Sequence, residues 1–296
     1  MSIAVVGVGG IGGVVAATLR AAGHDVIACA RRPFARLALL RPEGDVEVDL
    51  CVHCDPAGVW AADWVLLCTK AHQSSSAAPW LARLCGPATR VAVLQNGIGQ
   101  RERVAPLVGS AHVVPTIVYY NGERLADDRV RMRHADVVDL AVGDDADGRA
   151  FAALFAGTPL AVRVTGDLPT LAWRKLLLNL AANPITALTG RRQEVLRGDA
   201  MRALCSAVFD EAVAVARAEG ARFGPTESVD ALARLMSYPA DAGTSMYFDR
   251  LAGRRSEVDE LTGPLVAAGR RHGIPTPLNA ALLALMRAID DAQPAG

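Results

Sequence analysis

"SIAVVGVGGIGGVVAATLRAAG" (residues 2–23) decides the fold. Its first five residues form a short apolar run stopped by glycine, the pattern of a buried strand. Its second half carries apolar residues at helical period and closes on Gly23. The join holds Gly7, Gly9 and Gly12 at G-x-G-x-x-G spacing, with Gly10 and Ile11 completing the turn. Alone that spacing is a weak signal, but straight after a strand and opening a helix it is a strong one. Gly7 permits the tight turn, Gly9 lets backbone approach a pyrophosphate, and Gly12 lets the helix pack on the sheet. The helix N-terminus then offers free N–H donors and the positive end of its dipole to an anion.

Outward from that unit, β-rich runs keep alternating with helix-like ones. "DVIACA" (25–30), "WVLLCT" (64–69), "RVAVLQ" (90–95) and "HVVPTIVYY" (112–120) are the clearest further strands. Two more, around 129–142 and 160–165, read as antiparallel. Past Asp167 strand signals vanish, and Ala/Leu/Arg stretches at helical period run almost to the end. They are punctuated at Gly190, Gly220, "YPADAG" (238–243) and "HGIPTP" (272–277), and "AQPAG" (292–296) reads as a frayed end. The expected fold class is α/β: an N-terminal Rossmann-type doubly wound sheet over 1–166, followed by an all-helical domain over 167–296.

Composition narrows the function classes. Of 296 residues 51% are hydrophobic and 21% charged, ordinary for a soluble globular enzyme. Lys plus Arg and Asp plus Glu balance at 31 each, which leaves no broad field for nucleic acid or an anionic membrane. No apolar run approaches the roughly 18 residues of a membrane span. The start lacks the basic region and cleavage site of a signal peptide, so a cytoplasmic protein is expected. Of the six cysteines, Cys51 and Cys54 form a C-x-x-C around His53, without a second pair to complete a zinc site. Reduced, mostly buried thiols and no metal are expected.

The end of the second strand chooses the dinucleotide. An NAD site wants an acid there for the ribose 2′-hydroxyl, whereas this chain places Arg31 and Arg32 there, with no acid nearby in sequence. Guanidinium charge and bidentate geometry suit a 2′-phosphate, so NADP(H) is expected, with Arg31 the better candidate and Arg32 readable as a solvated charge. Lys70, after "WVLLCT", and Asn96, in "QNG", also sit at carboxyl ends of strands, where open parallel sheets bind ligands.

"WRKLLLNLAANPITAL" (173–188) poses a separate question. Wound as a helix with Lys175 at zero, Asn179 falls at about 40°, Asn183 at about 80° and Thr186 at about 20°. Almost everything else in the helix is apolar. Unpaired polar groups on a buried helix cost a few kcal/mol each, at about the level of a lost hydrogen bond, so this stripe must bond to protein, water or ligand. Pro184 frees the carbonyl of Leu180 beside it. A structural network to a neighbouring helix accounts for the row, and so does a substrate wall facing the nicotinamide. On the second reading, Lys175 in a partly dry cleft serves as general acid to an alkoxide formed by hydride transfer.

Taken together, "GVGGIG", Arg31, "CTKA", "LQNG", "WRKLLLNLAANPITAL", "GTSMYFD", "GRRSEVDELTG" and "HGIPTPLN" resemble the ketopantoate reductase family over nearly the whole chain. The resemblance implies NADPH-dependent reduction of a branched 2-keto acid, ketopantoate (2-dehydropantoate), on the way to pantothenate. It further implies Lys175 as general acid and Glu257, in "SEVDE", as the acid that binds the substrate's distal hydroxyl and supports the lysine. Asn96, Asn179, Asn183 and Ser245 would contact substrate, while Gly7, Gly9, Gly12, Arg31 and Lys70 would serve NADPH. By its residues alone, 256–259 is equally a capped helix start with acids near the positive dipole end. One departure stands out: Gln193, in "GRRQEVL", lies nearest to where the family usually has asparagine. Two rival readings keep the fold: a dehydrogenase of another 2-keto or hydroxy acid, and a non-catalytic NADP(H) sensor. The sequence does not set the oligomeric state; a homodimer is one state it allows.

Overall fold

The computed structural model describes residues 1–292, so within "AQPAG" all but Ala292 lies outside the described residues. The chain divides into two compact units, Met1–Leu168 and Pro169–Gly296. In the first, β1 (Ser2–Val6), α1 (Gly10–Ala21) and β2 (Asp25–Cys29) are followed by β3 (Arg36–Leu40), β4 (Val46–Asp49), β5 (Cys51–His53) and β6 (Trp64–Leu67). Then come α2 (Ala78–Leu84), β7 (Arg90–Val93), α3 (Gln100–Val104), β8 (His112–Val118), β9 (Asn121–Ala126), β10 (Arg129–Arg133), β11 (Leu140–Gly143), α4 (Ala146–Leu154) and β12 (Val162–Thr165).

Eight of these strands make one sheet in the order β12-β11-β8-β7-β6-β1-β2-β5. Strands β5, β2, β1, β6, β7 and β8 run parallel. Side chains alternate across β1: Ile3 and Val5 enter the core that contains α1, while Ala4 and Val6 enter the core that contains Leu81 and Leu84 of α2. Both faces are therefore covered, and near-continuous apolar strands are the sequence cost of that arrangement. The chain reverses direction of winding beside β1, so the carboxyl ends of β1, β2 and β6 flank a topological switch point.

Four departures from expectation follow. The stretch 129–142 is two strands in two different sheets. Strands β11 and β12 run against the six parallel strands, as expected for antiparallel elements, but parallel to each other. Most consequentially, β4, β3, β10 and β9 build a second, four-stranded sheet, of which the sequence had suggested only the strand at 129–133. Its strands are short and carry charge, as in "NGERLA" and "RVRMR"; "RVRMR" alternates, burying Val130 and Met132, but five residues are too few to show which strands it joins. The cysteines differ too: Cys51 and Cys54 are exposed and only Cys29 and Cys205 fully buried, all six free.

The second sheet packs on α1 and explains its glycines. A Cβ on Gly10 would collide with the carbonyl oxygen of Gly122 in β9, and one on Gly13 would meet a methyl of Val130 in β10 at 2.6 Å. Tyr120 donates from its hydroxyl to the Ile11 carbonyl at 2.9 Å, which fastens the same turn.

The described residues of the second unit carry helices and no strand: α5 (Leu168–Thr189), α6 (Asp199–Ala218), α7 (Glu227–Ser237), α8 (Ser245–Leu251), α9 (Val258–His272) and α10 (Pro277–Asp291). Helix α5 continues through Pro184 and is buried over most of its length. Among the described residues no helix is long and apolar enough to cross a membrane.

Two adjacent glycines should therefore behave differently. Gly10→Ala is expected to lose about 2 kcal/mol or more of stability in urea unfolding, through overpacking against Gly122. Gly9→Ala, whose Cβ would meet nothing within 4 Å, should stay within about 1 kcal/mol of the parent.

Candidate active site

Each unit carries one cluster of the residues singled out above. In the first, Gly7 leaves β1 at φ +93°, a conformation that glycine adopts freely, and a Cβ there would press on the Thr69 backbone nitrogen at 2.8 Å. Gly12 has no room for a Cβ beneath the Gly7 carbonyl. Gly9 is the contrast: it is the N-cap of α1, makes no side-chain cap, and faces open space. The first-turn N–H groups of Gly10, Ile11 and Gly12 are thus backed by packed glycines and open in front, which fits a pyrophosphate.

The neighbouring strand ends are tied to this turn. Gln95, buried at the end of β7, donates from Nε2 to Thr69 Oγ1 at 3.1 Å and exchanges hydrogen bonds with Ser74. Gln100 in turn donates to the Gln95 carbonyl at 2.5 Å. Lys70 and Asn96 are the next residues beyond Thr69 and Gln95, both partly buried, and Gly97 makes its turn at φ +91°. The structure therefore brings Gly7, Gly9, Lys70 and Asn96 to one end of one sheet. Gln95, which holds them there, carried no sequence signal beyond its place in "LQNG".

Arg31 and Arg32 follow β2, both exposed. Although no acid is near them in sequence, folding delivers one: Asp127, from the turn between β9 and β10, pairs with Arg32 at 3.3 Å. Asp127 also pairs with Arg124 of β9. Arg31 has no carboxylate partner among the described residues. Burial, then the positive charges of Arg31 and Arg32, lower the Arg124 pKa from its ordinary value. Three guanidiniums thus gather around one carboxylate, two of those four groups coming from a hairpin that sequence reading had missed.

In the second unit, Lys175, Asn179 and Asn183 lie one turn apart along α5. Burial drives the Lys175 ammonium down to about 8 from its usual 10.5, and the negative charge of Glu257 pulls it back up. Glu257 is 5% exposed and stands immediately before α9. Its carboxylate makes no cap there. Ser256 Oγ accepts from the Val258 N–H instead, at 3.3 Å. The helix-start reading of 256–259 therefore belongs to Ser256, and Glu257 is left to act on Lys175.

The stripe itself divides. Thr186 is spent on structure: its hydroxyl lies 2.7 Å from the Ala182 carbonyl and 2.7 Å from Thr244 Oγ1. Thr244 in turn accepts from the Tyr247 N–H at 3.2 Å and so caps α8. At the other end of α8, Arg250 donates to the carbonyls of Ala187 and Leu188, the latter at 2.8 Å. These contacts hold Ser245, the exposed first residue of α8, against the end of α5. The amides of Asn179 and Asn183 find no side-chain hydrogen-bond partner among the described residues, although Asn183 is only 4% exposed. Gln193 sits on the loop that bonds to 240–242, through its own N–H to the Ala242 carbonyl at 3.0 Å, and its Oε1 is buried without a partner among the described residues.

Comparison with known proteins bears on these clusters. Sequence profiles described as "Ketopantoate reductase PanE/ApbA" and "Ketopantoate reductase PanE/ApbA C terminal" match residues 3–146 and 167–290. A 2-dehydropantoate 2-reductase of Mycobacterium tuberculosis is 41% identical over 292 residues, covering 98% of each chain. Among solved structures, a PanE/ApbA family ketopantoate reductase from Ralstonia eutropha superposes with a TM-score of 0.89 at 32% identity, covering 98% of this chain and 99% of its own. A dimeric ketopantoate reductase from Staphylococcus aureus gives 0.88 at 25% identity, with 98% and 99% coverage.

Because burial lowers the Lys175 pKa and Glu257 raises it, Glu257→Gln should shift the amine's titration below about 8. The midpoint is read from the pH dependence of acylation at Lys175, localised by peptide mass spectrometry. A midpoint that stays put or rises would remove Glu257 from the lysine's surroundings.

Proposed function

The chain belongs to the ketopantoate reductase family, and we propose that it reduces a small branched 2-keto acid, 2-dehydropantoate first, to the 2-hydroxy acid with NADPH. The observation that carries this reading is Lys175: an amine tuned to about 8, faced by one buried carboxylate, beside two amides with no side-chain hydrogen-bond partner among the described residues. When bound, NADPH supplies the hydride.

Lys175 supplies the proton. As the substrate carbonyl gains an electron pair, its oxygen becomes basic, and the Lys175 Nζ donates a proton to it and becomes neutral. A pKa near 8 keeps the amine mostly protonated at neutral pH while making its proton easier to give than a solvated lysine's. Glu257 keeps the amine charged between turnovers and accepts a hydrogen bond from the substrate's distal hydroxyl. Asn179, Asn183 and Ser245 hold the remaining substrate oxygens, and Asn96 contacts both substrate and cofactor. Gly7, Gly9, Gly10, Ile11 and Gly12 hold the pyrophosphate through backbone N–H groups, while Arg31 and Lys70 bind by charge.

A second reading, a different 2-keto acid, draws on Gln193. Its buried Oε1, without a partner among the described residues, offers an acceptor on a longer arm than asparagine would. Cytoplasmic residence and a homodimer belong to the same proposal, the latter by likeness to the Staphylococcus aureus enzyme.

The test is NADPH oxidation across a panel of 2-keto acids, 2-dehydropantoate first, with NADH as comparator. Lys175→Ala is expected to lower kcat by about a hundredfold to ten-thousandfold, with NADPH affinity unchanged. Unaltered turnover would remove Lys175 from its role. Tight NADPH binding without turnover of any keto acid would favour the sensor.

A further inference from the structure

The hairpin β9–β10 does more than cover α1. We propose that Arg124 is a specificity-determining residue for the cofactor: with Arg31 and Arg32 it forms a three-guanidinium site for the ribose 2′-phosphate. The inference rests on the NADPH reading above and names a residue that reading does not use.

Geometry places Arg124 for this. At Gly122 a side chain would point straight at the Gly10 carbonyl, so that face of β9 looks onto the first turn of α1. Side chains repeat every second residue along a strand, so Arg124 leaves the same face about 7 Å further on. From there it meets Asp127, which Arg32 also holds at 3.3 Å. One strand therefore connects the pyrophosphate turn to the arginines after β2, the path that a dinucleotide takes from its phosphates to its adenosine ribose.

Charge supports the same conclusion. Three guanidiniums against the Asp127 carboxylate leave a surplus of two positive charges, which matches a phosphate monoester near its dianionic form. Crowding those guanidiniums is unfavourable without an anion, and the lowered Arg124 pKa, from burial and then from Arg31 and Arg32, reports that crowding. Asp127 does not act as the free acid of an NAD site. Its Oδ1 is occupied by Arg124 and its Oδ2 by Arg32, so a ribose hydroxyl would compete with two cations. Asp127 instead orders two long side chains that would otherwise fan into solvent.

Calorimetric titration of the full chain with adenosine 2′,5′-bisphosphate and with 5′-AMP tests this without turnover. The parent protein should prefer the bisphosphate, and the preference should weaken with salt. In Arg124→Gln the preference should fall about tenfold, the effect of losing one charged hydrogen bond, with 5′-AMP affinity unchanged. Arg133→Gln, on the same hairpin but paired with Glu123 at 3.8 Å, should keep it. A preference intact in Arg124→Gln overturns the role of Arg124 and leaves the NADPH reading standing. A parent protein with no preference overturns both. Loss of 5′-AMP affinity in Arg124→Gln also counts against the proposal, because it marks a general disturbance and not the loss of a 2′-phosphate ligand.

Discussion

Backbone must touch backbone at the first turn of α1, and the first unit is arranged around that requirement. The turn is pressed from behind by Thr69, from below by Gly7 and from the side by Gly122, and at each contact a single methyl group would not fit. Only Gly9 faces open space. Close approach on three sides holds the unpaired N–H groups in fixed directions, and openness on the fourth leaves them to an anion. An anion site built on donors that need not reorganise binds without the entropic loss of ordering flexible side chains. The glycines of 7–13 thus fall into two classes with one appearance in sequence: most of them make room for protein, and Gly9 faces open space.

In the second unit the corresponding constraint is electrostatic. Keeping an amine out of water costs stability unless an opposite charge compensates, and Glu257 compensates Lys175 only in part. The linkage has a definite sign. A lysine whose folded pKa lies below its unfolded value holds fewer protons when folded, so it weakens the fold at neutral pH. That loss is relieved as pH rises from about 8 toward the ordinary 10.5. The helix thus carries a destabilising group at the position that the proposed function makes the proton donor. Its other polar residues show how the cost is contained: Thr186 bonds to the Ala182 carbonyl and to Thr244, and Arg174 pairs with Glu227.

What could be read from the sequence follows from the range over which each signal acts. The G-x-G-x-x-G turn, the apolar parallel strands and the helical period past Asp167 are local patterns, and the structure has a parallel sheet and a helical unit where they stand. Lys175, Asn179 and Asn183 were visible because a helix turns their spacing into a line. The second sheet was not visible, since "NGERLA" is an exposed, charged edge strand and the pairing of "RVRMR" with 36–40 is decided far away in sequence. Asp127 was invisible for the same reason: the acid absent beside Arg31 and Arg32 in sequence arrives from 95 positions away from Arg32. The five glycines between 7 and 13 show their spacing in the sequence but not its whole cause, because Gly10 and Gly13 answer to that unseen sheet.

The two halves of the problem therefore differ in what sequence can supply. Catalytic groups must sit at fixed intervals on a rigid element, and such intervals leave a period that a reader can find. Specificity for a charged cofactor needs only that charges converge, and convergence can be assembled from any surface loop that folds to the right place. Arg31 sits where a strand end predicts it, whereas Arg124 and Asp127 are held there by a Gly10–Gly122 contact that no local pattern encodes. A substitution at Gly122 would accordingly move two charged side chains without touching either, and so, on the role proposed for Arg124, connect the packing of one helix turn to the choice between two cofactors that differ by a single phosphate.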